Sequence, residues 1–530
     1  MAIQEIRLIS SIRTQDDGSL FVVRKDFSGG ENTRMHPSKI GENQLTNTQN
    51  SDLGVTGQAQ KRYGSQRIGD FGGTSGKVGN DSVLYLHNYS IQGGNDQLLM
   101  FEDTSLWKWT GSLIWSAIKI NFSASTEVGI CSIKESGLSP DDVVIVQNAI
   151  DNAFRIDNTG AEQDLGNTNT SPPLTQVMCW YGNRLWCLKN DLLYWSDAYA
   201  SDYSVAFDRT TNSYRIPVGS EMGLASTRNI GIIALGEKGI WAVAPSVVPS
   251  ATDKPEPIVT NMGCVGKKAW TLYGDDLYFF SQDGFRSLKR TEQDKLQIGA
   301  NYPISYRLKS AFSEIHWTNA DKISMIAWDN KIFIGVPTSS TTWKTWIYYP
   351  ATDAFEIVDG WHPTCWATYK VDGDDRLYYG LQNSGEVFRA WFDHTDESTV
   401  DADGTNISMV FESREEDFGQ PLIYKVGGEL EIESEAAGSG EMLTISAAID
   451  GGSYTVLGTV NSTSLTAPIL PIDLPFYLAD SYVIREKFHL ESLGRFRTIQ
   501  IKIENSGISE DPIYIYGYNI TTFAEEYINE

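Results

Sequence analysis

Between Asp81 and His394 one short pattern is written seven times: a turn of Asp, Asn, Gly or Ser, an apolar residue, an aromatic, then alternation. The copies centre on Trp107, Phe154, Tyr194, Trp241, Phe285, Tyr348 and Phe388, spaced by 47, 40, 47, 44, 63 and 40 residues. A repeat of roughly 40–50 residues with several short strands per unit is the mark of a β-propeller. Apolar runs such as Val143–Val146, Arg184–Leu188, Ile232–Leu235 and Ile332–Val336 are bounded by turn signals, including Gly182-Asn183 and Asp329-Asn330. Such runs suit strands packed between neighbouring blades. The expected fold is all-β: a propeller of six or seven blades over residues 81–395. The 63-residue gap holds Ser339-Ser340-Thr341-Thr342 and predicts a long loop there.

Two flanking regions differ from the repeat. After residue 396, alternation is clean: Leu443, Ile445, Ala447 and Ile449 share a face, as do Ile499, Ile501 and Ile503, and Ile513 and Ile515. That pattern predicts a half-buried antiparallel domain, sandwich-like, over 396–530. Residues 1–80 are read as an N-terminal arm. Two short strands flank Asp16-Asp17-Gly18, and the first strands either close the propeller ring or stand free. Pro37 opens a short predicted helix over 38–50 with Ile40 and Leu45 as its apolar contacts. Residues 68–80 read as a Gly- and Ser-rich linker. The segment 26–64 is polar and Gly-rich. It either packs on its own domain or docks on another subunit.

The residues of that segment carry a likeness. Asp26-Phe27-Ser28-Gly29-Gly30, Asn32-Thr33-Arg34, Pro37, a polar stretch around Leu45 with Gln49-Asn50, Asp52-Leu53-Gly54 and Lys61-Arg62-Tyr63-Gly64 follow one another. This resembles the opening of tail nozzle, or tubular, proteins of short-tailed double-stranded DNA phages, including those called stabilisation proteins. Phe411-Glu412-Ser413-Arg414, Asp417-Phe418-Gly419 and Lys425 extend the likeness loosely. It implies a propeller with additional β-domains and a hexameric ring below portal and adaptor. Partners would be the tail adaptor, fibre or spike, and needle or plug proteins. Double-stranded DNA would pass through the ring during ejection without specific binding. The place implied is the virion tail, assembled in the host cytoplasm. Asp26, Phe27, Gly29, Gly30, Arg34, Pro37, Leu45, Asn50, Lys61 and Arg62 are then the expected adaptor or inter-subunit contacts.

Charge narrows the partners further. The chain carries a net −26, and residues 401–530 hold 22 acidic and 7 basic residues, a net −15. Such a balance argues against a grip on nucleic acid or on anionic lipid. In a ring, an acidic wall would repel the duplex, and Glu412, Glu415, Glu416, Glu431 and Glu433 are its expected channel-facing members. No apolar run is long enough to span a membrane.

Catalytic and metal signatures are missing from the sequence. The five cysteines lack ligand or disulfide spacing and read as core thiols of a reducing compartment. The six histidines match no zinc motif. Asp372-Gly373-Asp374-Asp375 and Asp401-Ala402-Asp403-Gly404 lack the terminal Glu of a calcium loop. Paired carboxylates such as Asp275-Asp276 read as hairpin turns. Trp180, Trp186, Trp328, Trp361 and Trp366 are candidates for stacking on glycans, but their alternation with aliphatic residues places them in blade cores. The expectation is therefore a protein without catalytic, cofactor or metal residues. The alternative is a carbohydrate-binding or adhesive propeller of a virion or cell surface. A glycosidase is a third reading.

Overall fold

The computed structural model describes residues 12–525 apart from 15–18, 55–56, 70–80, 92–93, 95, 112–113, 124–125, 135–141, 158–159, 200–204, 247, 251–252, 298–301, 393–406, 436–441, 462–482 and 506–512. Of the linker predicted over 68–80, Ile68 ends a strand, and residues 70–80, like the polar run at 401–404, lie outside the described residues.

Seven antiparallel sheets follow one another along the chain as blades. Blade 1 has strands Val83–Tyr89, Gln97–Glu102, Ser105–Trp109 and Ser116–Lys119. Blade 2 runs from Gly129 to Asp164, blade 3 from Met178 to Arg215, blade 4 from Glu221 to Thr260, blade 5 from Trp270 to Ser287 and blade 6 from Ser324 to Val358. Blade 7 takes three strands from Pro363–Phe392 and a fourth from Gly64–Ile68, which pairs antiparallel with Val387–Phe392. The ring is therefore closed by a strand from the N-terminal segment. It is not the 1–25 strand that closes it, because Ser19–Arg24 pairs with Ile515–Ala524 instead.

Every aromatic anchor of the repeat lies on the third strand of its blade. The hairpin turns within the blades show why the signal is local. Asn190 and Asp191, and Asp329 and Asn330, all have positive φ, the geometry of a two-residue hairpin whose twist matches the strands. Asp372-Gly373 repeats it in blade 7. These carboxylates make turns, as expected of an acidic, turn-rich chain.

The long spacing between Phe285 and Tyr348 has a different cause from the one expected. Ser339–Thr342 forms a tight turn between Lys331–Pro337 and Trp343–Tyr349. The extra residues lie upstream, in a helix Leu288–Gln297 and short helical turns up to Lys322, while blade 5 has three strands. Ser287 Oγ receives the Arg290 amide, and Asp276 receives the Lys289 amide (3.1 Å), so the helix entry is capped by residues of the blade it leaves.

The C-terminal unit is a sandwich. A five-stranded sheet of Ile12–Thr14, Ser19–Arg24, Ile515–Ala524, Lys425–Glu435 and Val483–His489 faces a four-stranded sheet of Met409–Glu416, Ile499–Asn505, Met442–Ile449 and Thr455–Asn461. Leu20, Val22, Leu430, Ile432 and Ile520 meet Phe411, Leu443, Ile445, Ile501 and Ile503 in one core. Of the predicted faces, Leu443, Ile445, Ala447, Ile499, Ile501, Ile503, Ile513 and Ile515 are buried, and Ile449 packs half-buried at the edge of the same core.

Residues 26–62 run between sandwich and propeller. Phe27 packs edge-on to Phe411 (4.7 Å between centroids) and stacks with Tyr518, and Leu45, Leu53 and Ala59 join the sandwich core. The predicted helix over 38–50 does not form. Only Pro37–Lys39 turns, capped by His36, and Gln44–Leu45 then pairs parallel with Gly30–Glu31. Gly41 and two apolar residues supply too little to hold a free helix, and the segment satisfies its backbone on neighbours instead. Gly30 has φ +64 and lies so close to blade 6 that a Cβ would meet Phe355 backbone atoms at 2.7 Å.

Candidate functional site

The first strands of neighbouring blades line the propeller axis, and the residues just before them converge at one mouth. Ser82 precedes blade 1, Thr126 and Glu127 blade 2, Gln176 blade 3, Lys267 and Lys268 blade 5, Asp321 and Lys322 blade 6 and Thr364 opens blade 7. They enclose a cavity of about 330 Å³. It continues into a space of about 60 Å³ lined by Tyr85, Ile130, Met178, Met222 and Trp270. That shaft is far too narrow for nucleic acid. Its walls are tight because glycines let the inner strands close up. A Cβ on Gly223 would strike the Trp270 indole and one on Gly129 the Gln176 carbonyl.

Most polar groups at the mouth are already committed. Lys268 Nζ donates to the Leu84 carbonyl and pairs with Glu127, each at 3.1 Å, which ties blade 5 across to blades 1 and 2. Lys267 Nζ donates to Gln176 Oε1, and Gln176 Nε2 donates to the Glu127 and Asn148 carbonyls. Thr364 Oγ1 donates to the Val83 carbonyl (2.6 Å). Three ammonium groups face two carboxylates here, although the whole chain is strongly acidic. Among the described residues no cluster of three or more His, Cys, Asp or Glu side chains has a metal-holding arrangement.

The residues predicted from the sequence lie elsewhere, at the seam. Phe27, Gly29, Gly30, Leu45, Asn50, Lys61 and Arg62 are buried within their own chain, so they are not surface contacts for an adaptor or a second subunit. Arg62 is fully buried. Its guanidinium donates to Asn50 Oδ1 (3.1 Å) and to the Asp359 and Tyr63 carbonyls (2.7 and 2.9 Å), above the Trp361 ring. Half-buried Asp26 receives the Ser28 amide, and half-buried Pro37 starts the helical turn. Arg34 is exposed and stacks on Tyr306, 3.3 Å from its centroid.

The expected acidic wall is corrected in the same way. Glu416 is buried and takes two bonds from Arg24 (2.7 and 2.9 Å). Glu433 is buried between Lys25 (2.6 Å) and Arg485 (3.0 Å), and those partners hold its carboxyl below the usual range. Glu415 is buried against Thr498 and His36. Glu431 accepts from Asn519 (3.3 Å) and lies near Lys487, and Glu412 lies beside the Tyr454 hydroxyl. The charges of Glu416 and Glu433 are cancelled where they sit and cannot act as a repelling surface, while Glu412 and Glu431 are half-buried.

Two further carboxylates mark the seam. Tyr349 Oη lies 2.8 Å from both Asp52 and Glu356. One hydroxyl proton serves only one of them, so the second bond needs a protonated carboxyl. Burial pushes Glu356 well above the ordinary carboxylate range, which makes it the acid. Glu31 lines a cleft of about 260 Å³ with Glu314, Lys344 and Glu412, and burial raises it to about 7. Of the tryptophans singled out in the sequence, Trp186, Trp361 and Trp366 are buried, while Trp180 and Trp328 are half-buried. The five cysteines are likewise buried and unbridged. Trp270, the indole at the cavity, carried no such signal because its run Trp270–Tyr273 looks like any other strand.

No family model matches the sequence, and no curated protein matches it. Solved structures resemble it in general fold. The extracellular domain of a one-component system from B. thetaiotaomicron has a TM-score of 0.42 at 13% identity, covering 86% of this chain and 64% of that one. A related hybrid two-component domain scores 0.37 at 11%, covering 62% of this chain and 39% of its own length. The chain thus spans less than two thirds of both. An exo-β-1,3-galactanase from Phanerochaete chrysosporium scores 0.28 at 8%, covering 87% and 100%. At these identities the likeness is one of fold alone, and that fold is all-β, a propeller joined to a sandwich.

Proposed function

We propose that this chain is a non-catalytic architectural subunit of a phage tail, of the nozzle type that residues 26–64 resemble. The supporting observation is how those residues are used. Motif residues are spent on fastening propeller to sandwich: Phe27 in the sandwich core, Gly30 against blade 6, Arg62 stacked on Trp361, and Gly64 opening the strand that closes the ring. A subunit that transmits load between neighbours needs its two β-units locked as one body, and buried polar groups bonded across the two units give that specificity. In this reading the protein works as a homohexamer in the virion. The DNA channel is the space between subunits and not the propeller axis. The native mass of the full-length chain, alone and with candidate adaptor rings, tests it. A closed ring in either condition is expected. A monomer in every mixture rejects the reading.

A second reading is favoured by the mouth cavity. A volume of about 330 Å³ falls at the lower end of small-ligand pockets, roughly 300–1,000 Å³. A carbohydrate-binding propeller on a virion or cell surface would use that mouth. Titration with a sugar panel separates this reading from a purely architectural one.

A further inference from the structure

We propose that the propeller mouth binds a sugar bearing one carboxylate, with Lys322 as the group that recognises the charge. This rests on the carbohydrate-binding reading and names its ligand class.

The inference comes from which groups remain uncommitted. Lys267, Lys268, Gln176 and Thr364 are bonded across the ring and form a fixed wall. Lys322 also lines the cavity, and among the described residues no hydrogen bond or ion pair engages its ammonium. It ends the Trp317–Lys322 helical segment that leads into blade 6, so its backbone is held by the extra residues that distinguish this blade junction.

One ammonium matches one carboxylate. A phosphate dianion is served better by a guanidinium fork or by several convergent amides, and among the described residues the mouth presents no arginine. The rest of the lining suits a hydroxyl-rich ring. Exposed Asp321 accepts from sugar hydroxyls, the Gln382 side-chain carbonyl adds an acceptor at the rim while its amide stays on the Ser340 carbonyl and Ser82 stays bonded to Asn383, and Met222 and Trp270 give an apolar floor below. Because the whole chain is at −26, an acidic ligand is not drawn in by the general field. It has to be recognised by a local cation.

Calorimetric titration of the full-length protein with glucuronate, glucose and acetate tests this. Glucuronate is expected to bind about tenfold or more tightly than either of the others, and Lys322→Gln to remove that advantage, a difference of about 1.4 kcal/mol per tenfold. An unchanged melting curve certifies the fold of Lys322→Gln. Asp321→Asn provides a second variant, expected to weaken glucuronate and glucose together. Equal binding of glucuronate and glucose overturns the carboxylate inference and leaves the carbohydrate reading standing. Acetate binding as tight as glucuronate overturns the inference, because the site would then read a bare anion. Absence of binding by both sugars overturns inference and reading alike. Unaltered glucuronate affinity in Lys322→Gln removes the assigned residue and with it the proposal.

Discussion

The seam and the mouth are both polar, but the chain builds them in opposite ways. The seam comes from one contiguous segment whose side chains are buried and paired within the fold. The mouth comes from single residues placed before the first strands of separate blades, and one of its cations is left over. A contiguous polar motif is thus architecture here, while the open cavity arises from residues that share no motif. Conspicuous polar residues in this chain therefore report on internal fastening. Replacing them should cost stability, and replacing the uncommitted mouth residues should not.

The largest effect is expected at Arg24. Its guanidinium and the Glu416 carboxylate are both almost fully buried, at 4% and 2% exposure. Arg24→Ala leaves Glu416 buried with Arg414 as its remaining cation, 3.6 Å away. Removing one member of a buried pair costs roughly 3–5 kcal/mol, since the other charge loses its compensation. Chemical denaturation should show that loss. A change below about 1 kcal/mol would erase the distinction between seam and mouth, because it would put this pair in the range of surface ion pairs.

Next in size is a pH effect at Glu31. Burial raises its carboxyl to about 7, so the folded state prefers the protonated acid. Linkage sets the sign: a raised value means stability is complete below the unfolded value near 4.5 and declines as pH rises to about 7. Glu31→Gln removes that titration while keeping an acceptor for the Thr48 hydroxyl (3.4 Å). At about 1.4 kcal/mol for each pH unit in that window, the variant should gain on the wild type by on the order of 3 kcal/mol at about pH 8. The two should coincide near pH 4. Parallel stability curves across that whole range would show that Glu31 is not held as described.

How much of the molecule is legible in its sequence divides along the same line. The propeller is legible because each blade repeats a local event, a turn followed by an aromatic on the third strand, and turn chemistry is written in adjacent residues. The sandwich is legible from period-two alternation at Leu443–Ala447 and Ile499–Ile503. Partners are not. Nothing near Gly64 announces pairing with the distant strand Val387–Phe392, and Glu416 looks like any acid until Arg24 is found beside it. The acidic excess of residues 401–530 misleads for that reason, because pairing across the fold decides whether a carboxylate is a surface charge. The mouth is illegible for a related one. Ser82, Glu127, Gln176, Lys267 and Lys322 each precede an ordinary strand, and only closure of the ring makes them neighbours.

The smallest expected effect is the most discriminating. Lys322→Gln should alter stability by no more than about 0.5 kcal/mol, the range of substitutions that remove no cap, core contact or buried pair. Its neighbour Lys268 is different, since it bonds the Leu84 carbonyl and pairs with Glu127 across the ring. Lys268→Met should cost more, about 1–3 kcal/mol, for a carbonyl and a carboxylate left without their donor. If the two variants melt alike, both lysines are fastenings and the mouth is a smaller copy of the seam. If Lys322→Gln melts like the wild type while Lys268→Met does not, stability gives no reason for a cation at position 322. An ammonium held beside an open cavity that the fold does not need is then available for a ligand.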